Sequence, residues 1–237
     1  MRTVLFFLYL AGYLVMTLFK ALKLRFKLKS GKVEADKYLF ETTRKWGQAM
    51  MKNIGVDVEM VGMENIPEGT CLFVANHESY ADIPLMLGYL EKPIGFIAKK
   101  EMENAPIISF WMKKLHCIFM DRSNIRESVK SINEGIENLK SGYSMVIFPE
   151  GTRSKGKGMN EFKKGSMKLG IKAGVPIVPV AIDGSYKVYE GNGNKIKPAN
   201  VRIKIFNQID PKSLSKEDQN NLAETIENMI KGELSNK

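Results

Sequence analysis

Phe73-Val74-Ala75-Asn76-His77-Glu78-Ser79-Tyr80-Ala81-Asp82 is an apolar run that stops at an Asn-His pair and reaches an Asp five residues after the histidine. Residues Cys71 to Ala75 are too few for a helix and are bounded by Gly69 and by polar residues, which predicts a short buried strand. His77, one of two histidines in the chain, then lies at a strand end, where α/β proteins place their chemistry. A neutral imidazole whose second nitrogen is held by a carboxylate is a general base of suitable pKa. Asp82 supplies that carboxylate once the chain turns into a helix. The other reading of the pair is a strand-terminating histidine followed by an ordinary acid in the first turn of a helix.

A second stretch tips the balance toward chemistry. Val146-Ile147-Phe148-Pro149-Glu150-Gly151-Thr152-Arg153-Ser154 is again a buried strand that ends in a polar, glycine-containing turn. A third strand ends at Asp121-Arg122. In a largely parallel sheet these ends converge on one side and bring together a base, its orienting acid and two guanidinium groups. Guanidinium forks suit a phosphate monoester, because each binds two oxygens at once.

Taken together, Asn76-His77 with Asp82, Phe119-Met120-Asp121-Arg122, Phe148 to Ser154, and Val175-Pro176-Ile177-Val178-Pro179-Val180 match in order the four sequence blocks of the glycerolipid acyltransferases. The chain resembles that family, and the likeness is greatest to the bacterial 1-acyl-sn-glycerol-3-phosphate acyltransferases. The resemblance implies transfer of a fatty acyl group from acyl carrier protein or coenzyme A thioester to the sn-2 hydroxyl of lysophosphatidic acid, making phosphatidic acid without a cofactor or metal. It assigns catalysis to His77 and Asp82, and the acceptor's glycerol phosphate to Arg122, Glu150, Gly151, Thr152 and Arg153, with Lys99 a further candidate. Related enzymes that acylate glycerol-3-phosphate or other lysophospholipids carry similar blocks.

The chemistry also follows by elimination. There is no GxSxG elbow, and neither cysteine stands beside the dyad, so a covalent acyl-enzyme lacks its nucleophile. Ser79 reads as a helix-start residue. The direct course has His77 take the proton of a hydroxyl that attacks an acyl thioester, while Asp82 fixes the imidazole tautomer. Backbone N–H groups near Val175-Pro176-Ile177 or the Glu150 turn are candidates for the oxyanion donors. Two rivals come from other classes. A metal-dependent phosphohydrolase would use His77, Glu78, Asp82, Asp121 and Glu150, a thin ligand set with its single histidine. A non-catalytic membrane-surface adaptor leaves the polar strand ends without purpose.

Composition sets the bounds. The net charge is +10, but 11 Lys/Arg against three Asp/Glu lie up to Lys52, and the remaining chain carries 25 against 23. The excess flanks a hydrophobic segment, which points to anionic membrane lipid and away from nucleic acid. Thr3 to Phe19 is 17 residues without a charge, at the lower limit of the roughly 17 to 25 that cross a bilayer. It is long enough to span, or to enter one leaflet. Lys20 to about Ile54 reads as a second, surface-lying helix, with Leu39, Phe40 and Trp46 turned inward or toward acyl chains. The positive-inside rule and the unpaired Cys71 and Cys117 put the body of the chain at the cytoplasmic face of the cell membrane.

The predicted organisation is thus an N-terminal membrane-anchoring hairpin over 1–54 and an α/β catalytic domain over 55–237, with a mixed, largely parallel sheet flanked by helices. Strands are expected at Val56 to Gly62, Ile94 to Ala98, Cys117 to Met120, Met145 to Phe148 and Val201 to Phe206. Helices are expected at Ile83 to Leu90, Pro106 to Leu115, Ile125 to Leu139 and Ser215 to Leu234. Pro176 and Pro179 make Val175 to Ile182 an edge or irregular strand. Gly191-Asn192-Gly193-Asn194 reads as a turn between polar strands with no binding role. The basic loop Lys155 to Lys164 reads either as a contact for an acidic acyl donor or as a solvated loop with no partner.

Overall fold

The computed structural model describes residues 1–121 and 123–235. Its centre is a seven-stranded sheet in the order β1-β7-β6-β2-β5-β3-β4. The strands are β1 (Asp57–Val61), β2 (Leu72–Ala75), β3 (Ile94–Lys99), β4 (Ile118–Met120), β5 (Ser144–Ile147), β6 (Ile177–Asp183) and β7 (Asn200–Ile205). All pairs are parallel except β6 with β7, so the α/β fold with a mixed, largely parallel sheet is as the sequence predicts.

Alternation sorts each strand between two cores. From β2, Phe73 and Ala75 join one core under α1 (Arg2–Ser30), α2 (Lys32–Ile54), α3 (Asp82–Tyr89) and α4 (Pro106–Lys114), while Leu72 and Val74 join the other. That second core is closed by α5 (Ile125–Lys140), α6 (Lys168–Ala173) and α7 (Lys216–Ser235). With both faces covered, β2 has no polar position at all, and every residue from Leu72 to Ala75 is fully buried.

Register sets where the strands end. Phe73 lies opposite Val146, Val146 opposite Phe96, and Lys99 opposite Met120. The carboxyl ends of β2, β5, β3 and β4 therefore lie on one side of the sheet, the side that carries His77, Glu150, Lys99 and Asp121. Pro84 falls at the third residue of α3, where no intrahelical N–H is needed. Ser215 caps α7 by accepting the Asp218 N–H at 3.1 Å.

Three expectations are corrected. The Lys20 to Lys29 run continues the first helix instead of opening the second, because cationic residues are good helix formers and the backbone first breaks at Gly31, with φ 140°. β6 is an interior strand between β2 and β7. Pro179 is tolerated there because its backbone faces β7 at the last rung: its carbonyl accepts the Phe206 N–H at 3.0 Å, just past the end of β7. Gly191 to Asn194 is not a tight turn between strands but part of a long connection. It lies in a run of 3-10 turns, Ser185–Val188 and Glu190–Asn192, between β6 and β7.

The helical hairpin is part of the packing. Along α1, Phe6, Leu10, Tyr13, Thr17 and Leu24 form an inward stripe, with Thr17 and Leu24 buried. The opposite face leaves Val4, Leu5, Leu8, Val15, Met16, Phe19, Leu22 and Phe26 exposed. The helix is long and apolar enough to cross a membrane. α2 crosses α3 at Gly47, where an added Cβ would lie 2.3 Å from the Pro84 carbonyl oxygen.

Candidate active site

The site is built on the turn from β2 into α3. Asn76 leaves the strand and locks it to β6, with its amide donating to the Ile182 carbonyl at 2.8 Å and accepting the Ile182 N–H at 2.7 Å. The chain then folds around the Asp82 carboxylate. Asp82 Oδ2 accepts from His77 Nδ1 at 2.7 Å and from the backbone N–H groups of Glu78 and Ser79 at 2.8 and 3.0 Å. Asp82 is fully buried, whereas the His77 side chain is 18% exposed. Because a carboxylate accepts, Nδ1 carries the proton and the basic lone pair is on Nε2. The imidazole is further fixed by stacking on Phe148 at 4.2 Å between ring centroids.

A second layer holds the acid. Ser185 Oγ donates to Asp82 Oδ1 and lies 3.2 Å from Glu78 Oε2. Burial, with Asp82 beside it, pushes Glu78 up to about 7. A serine hydroxyl has one proton and gives it to Asp82, so a protonated Glu78 completes the chain by donating to Ser185 Oγ.

The turn after β5 is fastened to the same place. Glu150 Oε1 accepts the His77 N–H at 2.6 Å, and Oε2 accepts the Asn160 N–H and side-chain amide, both at 2.8 Å. Burial pushes its carboxyl above the ordinary range. Glu150 thus orients the backbone of the histidine. Gly151 turns the chain at φ 72°, a region favourable to glycine. Ser154 and Lys155 N–H groups donate to the His77 and Glu78 carbonyls at 2.8 and 3.1 Å.

Arg153 is brought to the dyad turn as well. Its guanidinium lies over the Tyr80 ring, 3.4 Å from the centroid, and Nη1 meets Glu190 Oε1 at 2.6 Å. Thr152 and Lys99 are exposed at the same carboxyl end of the sheet. Asp121, at the end of β4, is held by Ser123 and pairs with Lys100 at 3.7 Å. Arg122 lies outside the described residues. Burial pushes Cys71 up to about 11 and Cys117 up to about 12, so neither thiol is ionised for nucleophilic attack near neutral pH.

These features lie in a stretch, residues 57–183, that matches the family model described as Acyltransferase. The chain belongs to the acyltransferase family. It is 37% identical over 190 residues to the probable 1-acyl-sn-glycerol-3-phosphate acyltransferase of Mycoplasma genitalium, a match covering 74% of this chain and 70% of that one. To the 1-acyl-sn-glycerol-3-phosphate acyltransferase of Saccharomyces cerevisiae it is 30% identical over 193 residues, covering 80% of this chain and 63% of that one. Its structure is similar to the crystal structure of PlsC, the 1-acyl-sn-glycerophosphate (LPA) acyltransferase of Thermotoga maritima. The TM-score is 0.85 at 32% identity, over 98% of this chain and 93% of that one.

Two features of this acyltransferase depart from the sequence reading. The Val175-Pro176-Ile177 segment is at the opposite end of the sheet from His77: β6 runs parallel to β2, and Ile177 lies opposite Leu72. It supplies no donors at the dyad. Conversely, Ser185 and Glu190 belong to the site and went unread. Each is more than 100 residues from its partner in the dyad turn, and no local pattern signals such a contact.

Proposed function

We propose that the protein transfers a fatty acyl group from an acyl thioester to the sn-2 hydroxyl of 1-acyl-sn-glycerol-3-phosphate, releasing phosphatidic acid and a thiol. The observation that carries this is the His77 to Asp82 pair, which leaves Nε2 as the imidazole's basic nitrogen on a side chain that is 18% exposed. His77 takes the proton of the sn-2 hydroxyl as the oxygen attacks the thioester carbonyl. The carbon–sulfur bond then breaks, and the imidazolium returns the proton to the departing sulfur. Asp82 holds the tautomer and stabilises the imidazolium, in a bond of about 1.5 to 3 kcal/mol.

Arg153 reads the acceptor's phosphate, with Arg122, Lys99, Gly151 and Thr152 as its neighbours in that task, and Glu150 serves by fixing His77. The names of the relatives support this acceptor. Residues 1–54 seat the catalytic domain, residues 55–237, on the cytoplasmic leaflet. The exposed apolar face of α1 supports this role, and Lys23, Arg25 and Lys29 on the same helix are exposed to meet anionic headgroups. The donor is acyl carrier protein or coenzyme A thioester. Both are acidic and match the basic Lys155 to Lys164 loop.

The test is thiol release by purified full-length protein in anionic liposomes, with lysophosphatidic acid and each thioester in turn. Turnover that requires acceptor and donor together is expected. Turnover with glycerol-3-phosphate or a zwitterionic lysolipid, and none with lysophosphatidic acid, overturns the choice of acceptor. Absence of thiol release with every acceptor overturns the transferase reading.

A further inference from the structure

Glu190 is a buried carboxylate with no role in the chemistry above. Its side chain is 4% exposed and sits in the connection from β6 to β7, yet among the described residues its side-chain bonds all run to the active-site turns. Oε2 accepts from Ser79 Oγ at 2.5 Å, and Oε1 accepts the Tyr80 N–H at 3.0 Å and Arg153 Nη1 at 2.6 Å. Ser79 and Tyr80 belong to the turn that carries His77, and Arg153 belongs to the turn after β5. One carboxylate therefore ties the β2 turn to the β5 turn.

We propose that Glu190 is a positioning residue for acceptor binding, setting the distance between the Arg153 guanidinium and the His77 base. This rests on the reading that Arg153 binds the acceptor's phosphate. In a lysophosphatidate the phosphate and the reacting hydroxyl are joined through a short glycerol backbone, so their separation is nearly fixed. A site that reads both must hold its cation and its base at a matching separation, and a misplacement of about 1 Å is costly. Arg153 by itself is a long, rotamer-rich side chain. Glu190 takes Nη1, and the Tyr80 ring covers one face of the guanidinium plane. Among the described residues Nη2 and Nε have no hydrogen-bond partner, which leaves their donors for phosphate oxygens, and the side chain is 21% exposed. Glu190 cannot swing away to be replaced by the phosphate without also abandoning the Ser79 hydroxyl and the Tyr80 N–H.

The same connection reaches the membrane helix. Tyr189 packs against Phe7 of α1 at 6.3 Å and against Tyr80 at 6.5 Å, and the Ile196 N–H donates to Thr3 Oγ1 at 3.0 Å. Glu190 is thus held from behind by packing, which lets a single carboxylate act as a fixed point.

The experiment is a double-mutant cycle on full-length protein in liposomes, with Glu190→Gln, Arg153→Gln and the pair. Glu190→Gln keeps the shape and an accepting oxygen, and thermal melts check that each variant folds. Kinetics are measured with lysophosphatidate and, separately, with 1-acylglycerol, which lacks the phosphate. Glu190→Gln is expected to lower kcat/KM for lysophosphatidate about tenfold. The loss should fall mainly in the acceptor KM, leave the thioester KM and the 1-acylglycerol rate unchanged, and vanish in the Arg153→Gln background. An unchanged acceptor KM in Glu190→Gln, beside a raised one in Arg153→Gln, overturns the proposal and leaves the phosphate reading standing. So does an equal loss with both acceptors, or a loss that persists without Arg153. An unchanged acceptor KM in Arg153→Gln overturns the phosphate reading, and the proposal with it.

Discussion

The carboxyl end of the sheet and the N-terminal hairpin hold their parts by opposite means. Around His77, orientation is enforced by directional bonds: Asp82, Glu78, Glu150 and Glu190 are buried carboxylates, each tied to the turns by hydrogen bonds. Along α1 the inward packing is mainly apolar, with hydrogen bonds at Arg2 and Thr3 near its start, and on the outside Leu5, Leu8, Met16 and Phe19 face solvent. Chemistry needs a fixed angle and a fixed proton, which hydrogen bonds supply. Adhesion to a fluid surface needs only apolar area and charge, which are non-directional. The two regions should therefore fail in different ways.

Removing the His77 imidazole, the proposed base, is the harshest test of the directional half. His77→Ala should lower kcat roughly 100- to 10,000-fold with the melting curve little changed, and Asp82→Asn should follow it, measured by thiol release. A loss below tenfold would mean that the bonded turn is only architecture. The hairpin should show the converse. Replacing Lys23, Arg25 and Lys29 together by Gln removes about 1 kcal/mol of attraction each at an anionic surface, so binding to anionic vesicles should weaken on the order of 100-fold. Activity on monomeric substrate in detergent should persist. Equal loss in detergent would erase the distinction between the regions.

Gly47 lies at their joint. Its added Cβ would sit 2.3 Å from the Pro84 carbonyl oxygen and 2.7 Å from the Gly88 nitrogen, all unyielding backbone of the helix that starts at Asp82. Gly47→Ala should cost about 3 kcal/mol in chemical denaturation. A kcat that falls with it would show that hairpin packing reaches the dyad. The gentlest probe is pH. Glu78 titrates at about 7 in the fold against an ordinary 4.5, so between these values the folded protein holds more protons than the unfolded. Its contribution is full below about pH 4.5 and is lost as pH rises through 7, a slope of at most roughly 1.4 kcal/mol per pH unit. Glu78→Gln should flatten that part of the stability profile, read from melts across the range. An unchanged profile would mean that Glu78 is ionised and that Ser185 serves Asp82 alone.

Much of this was legible in the chain. The buried strand at Leu72 to Ala75, the His77 to Asp82 spacing and the amphipathic α5 and α7 are local patterns, and local patterns survive folding. The hairpin boundary was misread because charge and apolarity changed at Lys20 while the backbone changed only at Gly31. Pro179 was misread because proline forbids a strand interior only when its missing N–H faces a rung that must be filled. Which way it faces depends on β7 and not on the neighbours of Pro179 in sequence.

The sequence by itself determined the strand ends, the His77 to Asp82 spacing, and the apolar segment with its cationic flank, since each is written within ten or twenty residues. Only the tertiary structure decided that Glu150 serves the His77 backbone, that Ser185 and Glu78 stand behind Asp82, and that Glu190 joins Arg153 to the dyad turn. Those bonds link residues 37 to 111 positions apart. Hydrogen bonds across such separations depend on where a seven-stranded sheet brings its ends together, and no short stretch of sequence encodes that.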